Sequence, residues 1–194
     1  MERRICVYCA SSQRCDPAYR AAASRVGEIL ADAGYTVVYG GGAVGSMGAL
    51  ADGALSRGGK VIGILPRFMM ELEWGHTRLT ELRIVEDMRA RKHMMLSQSC
   101  GVVTLPGGSG PFEEFFEALT LKRLGLYVHP IVLLDTNGYF STLIRLLETA
   151  VEERFMDVRH LAMWQVVREP EQLPDALHNA PAWSEHAREF AAVR

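Results

Sequence analysis

Tyr39-Gly40-Gly41-Gly42-Ala43-Val44-Gly45-Ser46-Met47-Gly48 is the stretch that decides the fold. An apolar run over 36–39 leads into it, and a segment with helical spacing over 47–55 follows. Strand, glycine turn and helix in that order make the opening of a βαβ unit. The same alternation continues in both directions. Strands are predicted at 5–8, 36–39, 60–65, 82–85 (a short edge strand), 101–105, 131–134 and 164–167. Helices are predicted at 17–33, 47–55, 89–99, 111–124, 140–153 and 173–179, with an irregular stretch over 67–80. Near-continuous apolar strands separated by helices imply an α/β protein whose parallel sheet is buried on both faces. In such a sheet ligands sit at the carboxyl ends of the strands. The loops after Tyr8, Tyr39, Leu65 and Leu105 are therefore where chemistry is expected.

The chain's 194 residues fit one domain, taken as 1–180 with a C-terminal tail over 181–194. A hydrophobic share of 48% against 23% charged excludes a disordered or fibrous chain. A formal net charge of −2 gives no whole-protein basic field for nucleic acid or an anionic membrane, although a local basic patch stays open. No apolar run approaches the roughly 18–20 residues of a membrane span. The start, Met1-Glu2-Arg3-Arg4, leads into a strand and not a signal core, so a cytoplasmic protein is expected. Cys6, Cys9, Cys15 and Cys100 are expected as reduced thiols. Cys6 and Cys9 are three apart on a strand, so they face opposite sides of the sheet and cannot share a metal.

A second glycine loop, Leu105-Pro106-Gly107-Gly108-Ser109-Gly110-Pro111-Phe112-Glu113-Glu114, also stands between strand and helix. Glycine lets the backbone approach a ligand closely, and a helix start offers free N–H groups and partial positive charge. Two such loops on one sheet point to a phosphate-bearing ligand. The spacing Gly40-x-Gly42-x-x-Gly45 satisfies a dinucleotide fingerprint, but it follows the second strand. The next strand ends in Leu65-Pro66-Arg67 with no acid for a ribose, and the second loop has no part in that scheme. No P-loop signature is present.

Glu113 and Glu114 are read as lying in the first turn of the helix after the second loop. Dipole-favoured glutamates are common there; beside a phosphate cradle, a carboxylate also suits a developing cation or a water nucleophile. Arg89 and Arg91 diverge on a helix, and Arg91-Lys92 near a helix start is favoured only by a bound anion.

Three spaced motifs carry a resemblance: Gly40-Gly41-Gly42-x-x-Gly45-x-Met47-Gly48, Met88-x-x-Arg91-Lys92 and Pro106-Gly107-Gly108-x-Gly110-x-x-Glu113-Glu114. Together they resemble the LOG ("lonely guy") family of cytokinin riboside 5'-monophosphate phosphoribohydrolases, long labelled lysine decarboxylases. The resemblance runs over about 5–155, through Cys9-Ala10-Ser11-Ser12, Glu73-x-x-His76-x-x-Leu79-Thr80-Glu81-Leu82 and Leu124-Gly125. It implies a Rossmann-like doubly wound sheet flanked by helices and a homodimer with sites near its interface. It implies no metal and no redox cofactor. The implied reaction cleaves the N-glycosidic bond of a nucleoside 5'-monophosphate, of the cytokinin or AMP type, to free base and ribose 5-phosphate. By position, the resemblance implies Arg91 and Glu114 as catalytic. It places Glu73, Lys92, Gly107, Gly108, Ser109, Gly110, Glu113 and Thr120 against the substrate, with Ser12, Gly41 and Gly42 completing the pocket.

Two departures bear on activity. The family's threonine after Pro-Gly-Gly-x-Gly is Pro111 here, read as the first helical position, where it supplies neither hydroxyl nor N–H. The tryptophan common after Thr120 is Leu121. A nucleotide-binding sensor that no longer hydrolyses is therefore the alternative. Lysine decarboxylation has no support, since Lys60, Lys92 and Lys122 are the only lysines and none sits in a Schiff-base context. The six histidines show no metal-ligand spacing.

Overall fold

The computed structural model describes residues 3–72 and 75–192. Its strands are β1 (Arg4–Tyr8), β2 (Thr36–Tyr39), β3 (Val61–Pro66), β4 (Glu81–Val85), β5 (Val102–Thr104), β6 (Ile131–Leu134) and β7 (Gln165–Val167). They form one sheet in the order β4-β3-β2-β1-β5-β6-β7, and every neighbouring pair is parallel. The helices are α1 (Pro17–Asp32), α2 (Gly45–Ser56), α3 (Arg67–Glu71), α4 (Met88–Ser97), α5 (Ser109–Arg123), α6 (Ser141–Glu152) and α7 (Leu173–His178). The chain runs outward from β1 to β4, then returns to place β5 on the other side of β1. That reversal leaves a crevice above the carboxyl ends of β1 and β5.

Strands β1, β2, β3, β5 and β6 are buried along almost their whole lengths. Alternate residues feed two cores. Ile5, Val7, Val37 and Tyr39 meet α1, α2 and α7 on one side. Cys6, Tyr8, Val38 and Val102 meet α4 and α5 on the other. Cys9 belongs to the first core and Cys6 to the second, as their spacing requires, and all four thiols are unpaired. Helix α1 starts with Pro17 after an Asp16 cap that accepts the Ala18 N–H, and Gly34 with φ +73° lies just beyond its end.

The structure corrects three sequence expectations. Part of 67–80 is helix α3, a single turn after Pro66. Helices α2 and α5 begin at Gly45 and Ser109, two residues before the expected starts. The first N–H groups of a helix need no intrahelical partner, so glycine is tolerated in a first turn where propensity argues against it. Consequently Pro111 is the third helical residue, and Glu113 and Glu114 lie in the second turn, beyond the reach of the dipole argument.

Beyond residue 180 the chain lies along α5. The Trp183 indole Nε1–H donates to the Lys122 carbonyl at 2.7 Å, Ala187 is buried, and the Arg159 guanidinium stacks 3.8 Å above the Phe190 ring. No helix among the described residues is long and apolar enough to cross a membrane.

Candidate active site

A cleft of about 590 Å³ opens over the crevice, bounded by the loops after β1, β2, β3 and β5 and by the start of α4. The two glycine loops play different parts in it. The first is consumed in internal packing. A Cβ on Gly40 would stand 1.9 Å from Arg91 Nη2, so only glycine leaves room for that guanidinium. A Cβ on Gly45, where φ is +64°, would meet the Ser11 carbonyl carbon at 2.4 Å. The Met47 N–H donates to the Ala10 carbonyl at 3.1 Å, fastening the start of α2 to the loop after β1. The Gly41 carbonyl accepts the His76 N–H and the Gly42 carbonyl the Tyr39 hydroxyl, each at 3.0 Å. Gly42 still lines the cleft, whereas Gly41 is buried and does not.

The second loop is open. A Cβ at Gly108 or Gly110 would meet nothing within 4 Å. Gly108, Ser109 and Gly110 are exposed and line the cleft at the start of α5. Their N–H groups make no hydrogen bond among the described residues. Ser12, on the loop after β1, lines the same cleft. Free N–H groups at a helix start are chemically suited to an anion.

Arg91 leaves α4 to reach the strand ends. Its Nε donates to the Ile64 carbonyl at 3.2 Å and its Nη2 to the Gly40 carbonyl at 3.1 Å. Strand-end carbonyls, not a helix start, hold this charge. Arg89, two residues earlier, points to solvent, as the i,i+2 geometry predicts. Arg91 lines the cleft, and Glu114 lies behind it with Oε1 3.8 Å from Arg91 Nη1. Burial pushes the Glu114 carboxyl up to about 7 against the opposing pull of Arg91.

Of the remaining expected residues, those described lie away from the cleft. Lys92 pairs with Glu113 and, at 3.2 Å, with Glu117 on the outer face of α4 and α5. The Glu113 hydrogen bond is the main cause of the raised Lys92 pKa. Thr120 is exposed further along α5, and Gly107 is half-buried below the loop. Glu73 lies outside the described residues. Sequence reasoning missed the apolar wall of the cleft, formed by Val44, Leu65, Met47, Met69 and Met88. Met47 and Met88 stood inside quoted motifs, but nothing distinguished them from core residues. Among the described residues no group of three or more His, Cys, Asp or Glu could hold a metal ion.

A family model described as "Possible lysine decarboxylase" matches residues 47–177. A cytokinin riboside 5'-monophosphate phosphoribohydrolase of Arabidopsis thaliana is 40% identical over 154 residues, 79% of this chain and 72% of its own length. The chain belongs to the LOG family. A rice member (Oryza sativa subsp. japonica), "Probable cytokinin riboside 5'-monophosphate phosphoribohydrolase", is 38% identical over 161 residues, 82% of this chain. The chain spans 64% of that LOG relative's length. The molybdenum cofactor carrier protein of Chlamydomonas reinhardtii shares the fold, with a TM-score of 0.72 at 19% identity over 93% of this chain and 98% of its own. The LOG fold is thus the frame on which this cleft is built.

Proposed function

We propose that this protein hydrolyses the N-glycosidic bond of a nucleoside 5'-monophosphate, releasing free base and ribose 5-phosphate. One observation carries the reading: the open glycine loop at the start of α5 and Arg91 line a single cleft, with the Glu114 carboxyl directly behind Arg91. Its volume suits a nucleotide. The phosphate sits on the N–H groups of the second loop, with Ser12 opposite. The base lies against the wall of Met47, Met69 and Met88. That order puts the ribose over Arg91 and Glu114. The names of the LOG relatives support the same reaction.

In the reaction, water oxygen bonds to the anomeric carbon as the C–N bond breaks, and the bonding pair leaves with the base, which takes up a proton. The sugar is cation-like at the transition state. Ionised Glu114 stabilises that charge and accepts the water proton, for which a carboxyl near neutrality is well matched. Arg91 stays protonated and orients the ribose and phosphate oxygens. Folded protein is to be incubated with a panel of nucleoside monophosphates and free base followed by chromatography. Base release from one or more is expected; binding without release would identify a sensor.

The active form is proposed to be a cytoplasmic homodimer. Four unpaired thiols fit a reducing compartment. Of the apolar residues on α4 and α5, Met95, Phe115 and Leu119 are spent inside the subunit, and Met94 and Phe112 pack partly against its core. Phe116, Leu124 and the 71% exposed Leu126 remain outside and supply the pairing surface. A sedimentation mass of about twice 21.5 kDa is expected.

A further inference from the structure

We infer that Tyr139 is a positioning residue for the anion-binding loop: its hydroxyl sets the Gly107–Gly108 peptide so that the Gly108 N–H faces the cleft. This rests on the proposed reading of the cleft as a nucleotide site. The Tyr139 hydroxyl donates to the Gly107 carbonyl at 2.5 Å. Its ring is fixed from three sides. Phe112 stacks on it at 6.2 Å with 12° between the planes, while Tyr19 and Phe140 meet it edge-on at 5.7 and 5.2 Å. The turn that carries it is closed by Asp135, whose Oδ1 accepts the Phe140 N–H at 2.6 Å.

In a trans peptide the carbonyl and the following N–H point in opposite directions. With the Gly107 oxygen tied to Tyr139, the Gly108 N–H is turned the other way. Gly108 lines the cleft and has open space before it, whereas Gly107 does not line it. Two adjacent glycines impose almost no steric barrier to rotating this peptide. A flip would aim a carbonyl oxygen at a bound phosphate. Pro111 makes this orientation weigh more, because the third helical residue offers no N–H and the donor set shrinks to Gly108, Ser109 and Gly110.

The test is Tyr139→Phe, which keeps the ring stack and removes only the hydroxyl. Isothermal titration with AMP and adenosine is compared with wild type, alongside thermal melts. A roughly 3- to 10-fold loss of AMP affinity is expected, the scale of one neutral hydrogen bond. Adenosine affinity and Tm should hold, and in turnover the rise in KM should exceed any fall in kcat. Unchanged AMP affinity overturns the inference, as does an equal loss for both ligands, which marks a general disturbance. Wild-type protein that binds neither AMP nor any other monophosphate of the panel overturns the nucleotide reading itself, and the role of Tyr139 with it.

Discussion

Arg91 Nη1 stands 3.8 Å from Glu114 Oε1, with both side chains 6% exposed. The separation is too long for a hydrogen bond and short enough for strong attraction in a poorly solvated site. Arg91 is pinned by the Gly40 and Ile64 carbonyls, so it cannot close onto the carboxylate without giving them up. Neither partner satisfies the other, and both keep hydrogen-bonding capacity for a third oxygen. Burial outweighs the arginine, which is why the carboxyl is pushed up to about 7 and not down.

Glu114→Gln keeps the shape and removes the titratable group. We expect kcat to fall by about 10²–10⁴, the usual scale for a positioned acid or base. Stability near pH 4, where the carboxyl is largely protonated whether folded or not, should change little. Near-normal base release in the mutant would move the role away from this helix.

The same carboxyl makes stability depend on pH. Its folded pKa is raised from 4.5 to about 7, so between those values the native state holds a proton that the unfolded chain has released. Unfolding free energy therefore falls as pH rises through that window. Glutamine has no such dependence. The Tm of Glu114→Gln relative to wild type should rise between pH 5 and pH 8. Parallel Tm curves across this range would show that Glu114 ionises normally.

The two glycine loops should respond oppositely to alanine. At Gly45 the backbone is left-handed and the added carbon meets Ser11, so a loss of about 1–3 kcal/mol is expected. Gly110 lies in a helix with open space around it, where alanine is a better helix former. Gly110→Ala should melt no lower than wild type, yet bind AMP more weakly because its methyl occupies the anion's place. Thermal melts paired with titration separate the two effects. A destabilised Gly110→Ala would mean this turn, too, is packed internally.

The sheet was legible because its central strands carry apolar runs and glycines or prolines mark the turns. The edge strand expected over 82–85 is β4, whose Glu81 and Arg83 suit a strand paired on one side only. Arg91 and Glu114 were legible through motif register, but not their relation. Pattern reading puts a cation at a helix start, while the structure spends Arg91 on strand carbonyls across 51 and 27 positions of sequence. The division of labour between the loops was invisible, because glycine that admits a guanidinium and glycine that fronts open space look alike. Lys92, Glu113 and Thr120 separated from the cleft for a simpler reason. A helix carries neighbouring positions to different faces, and Glu113 and Glu114 point about 100° apart.

Pro111→Thr tests whether donor number limits the phosphate grip. As third residue of α5, Pro111 occupies one of the positions whose N–H finds no partner inside a helix. Threonine there returns that N–H and adds a hydroxyl beside the Ser109–Gly110 donors. Hydrogen bonds to a charged group are worth roughly 1.5–3 kcal/mol, so even one new bond should tighten AMP about tenfold or more. Adenosine, lacking the phosphate, should bind as before. Opposing this, Pro111 is buried against Gly107, and its ring stiffens the helix start. Losing that constraint should cost about 0.4–1 kcal/mol. The expected mutant therefore melts slightly lower while holding the monophosphate more tightly. If AMP affinity is unchanged or falls, the loop is built around proline, and the anion is held by Gly108, Ser109 and Gly110 without a donor at position 111.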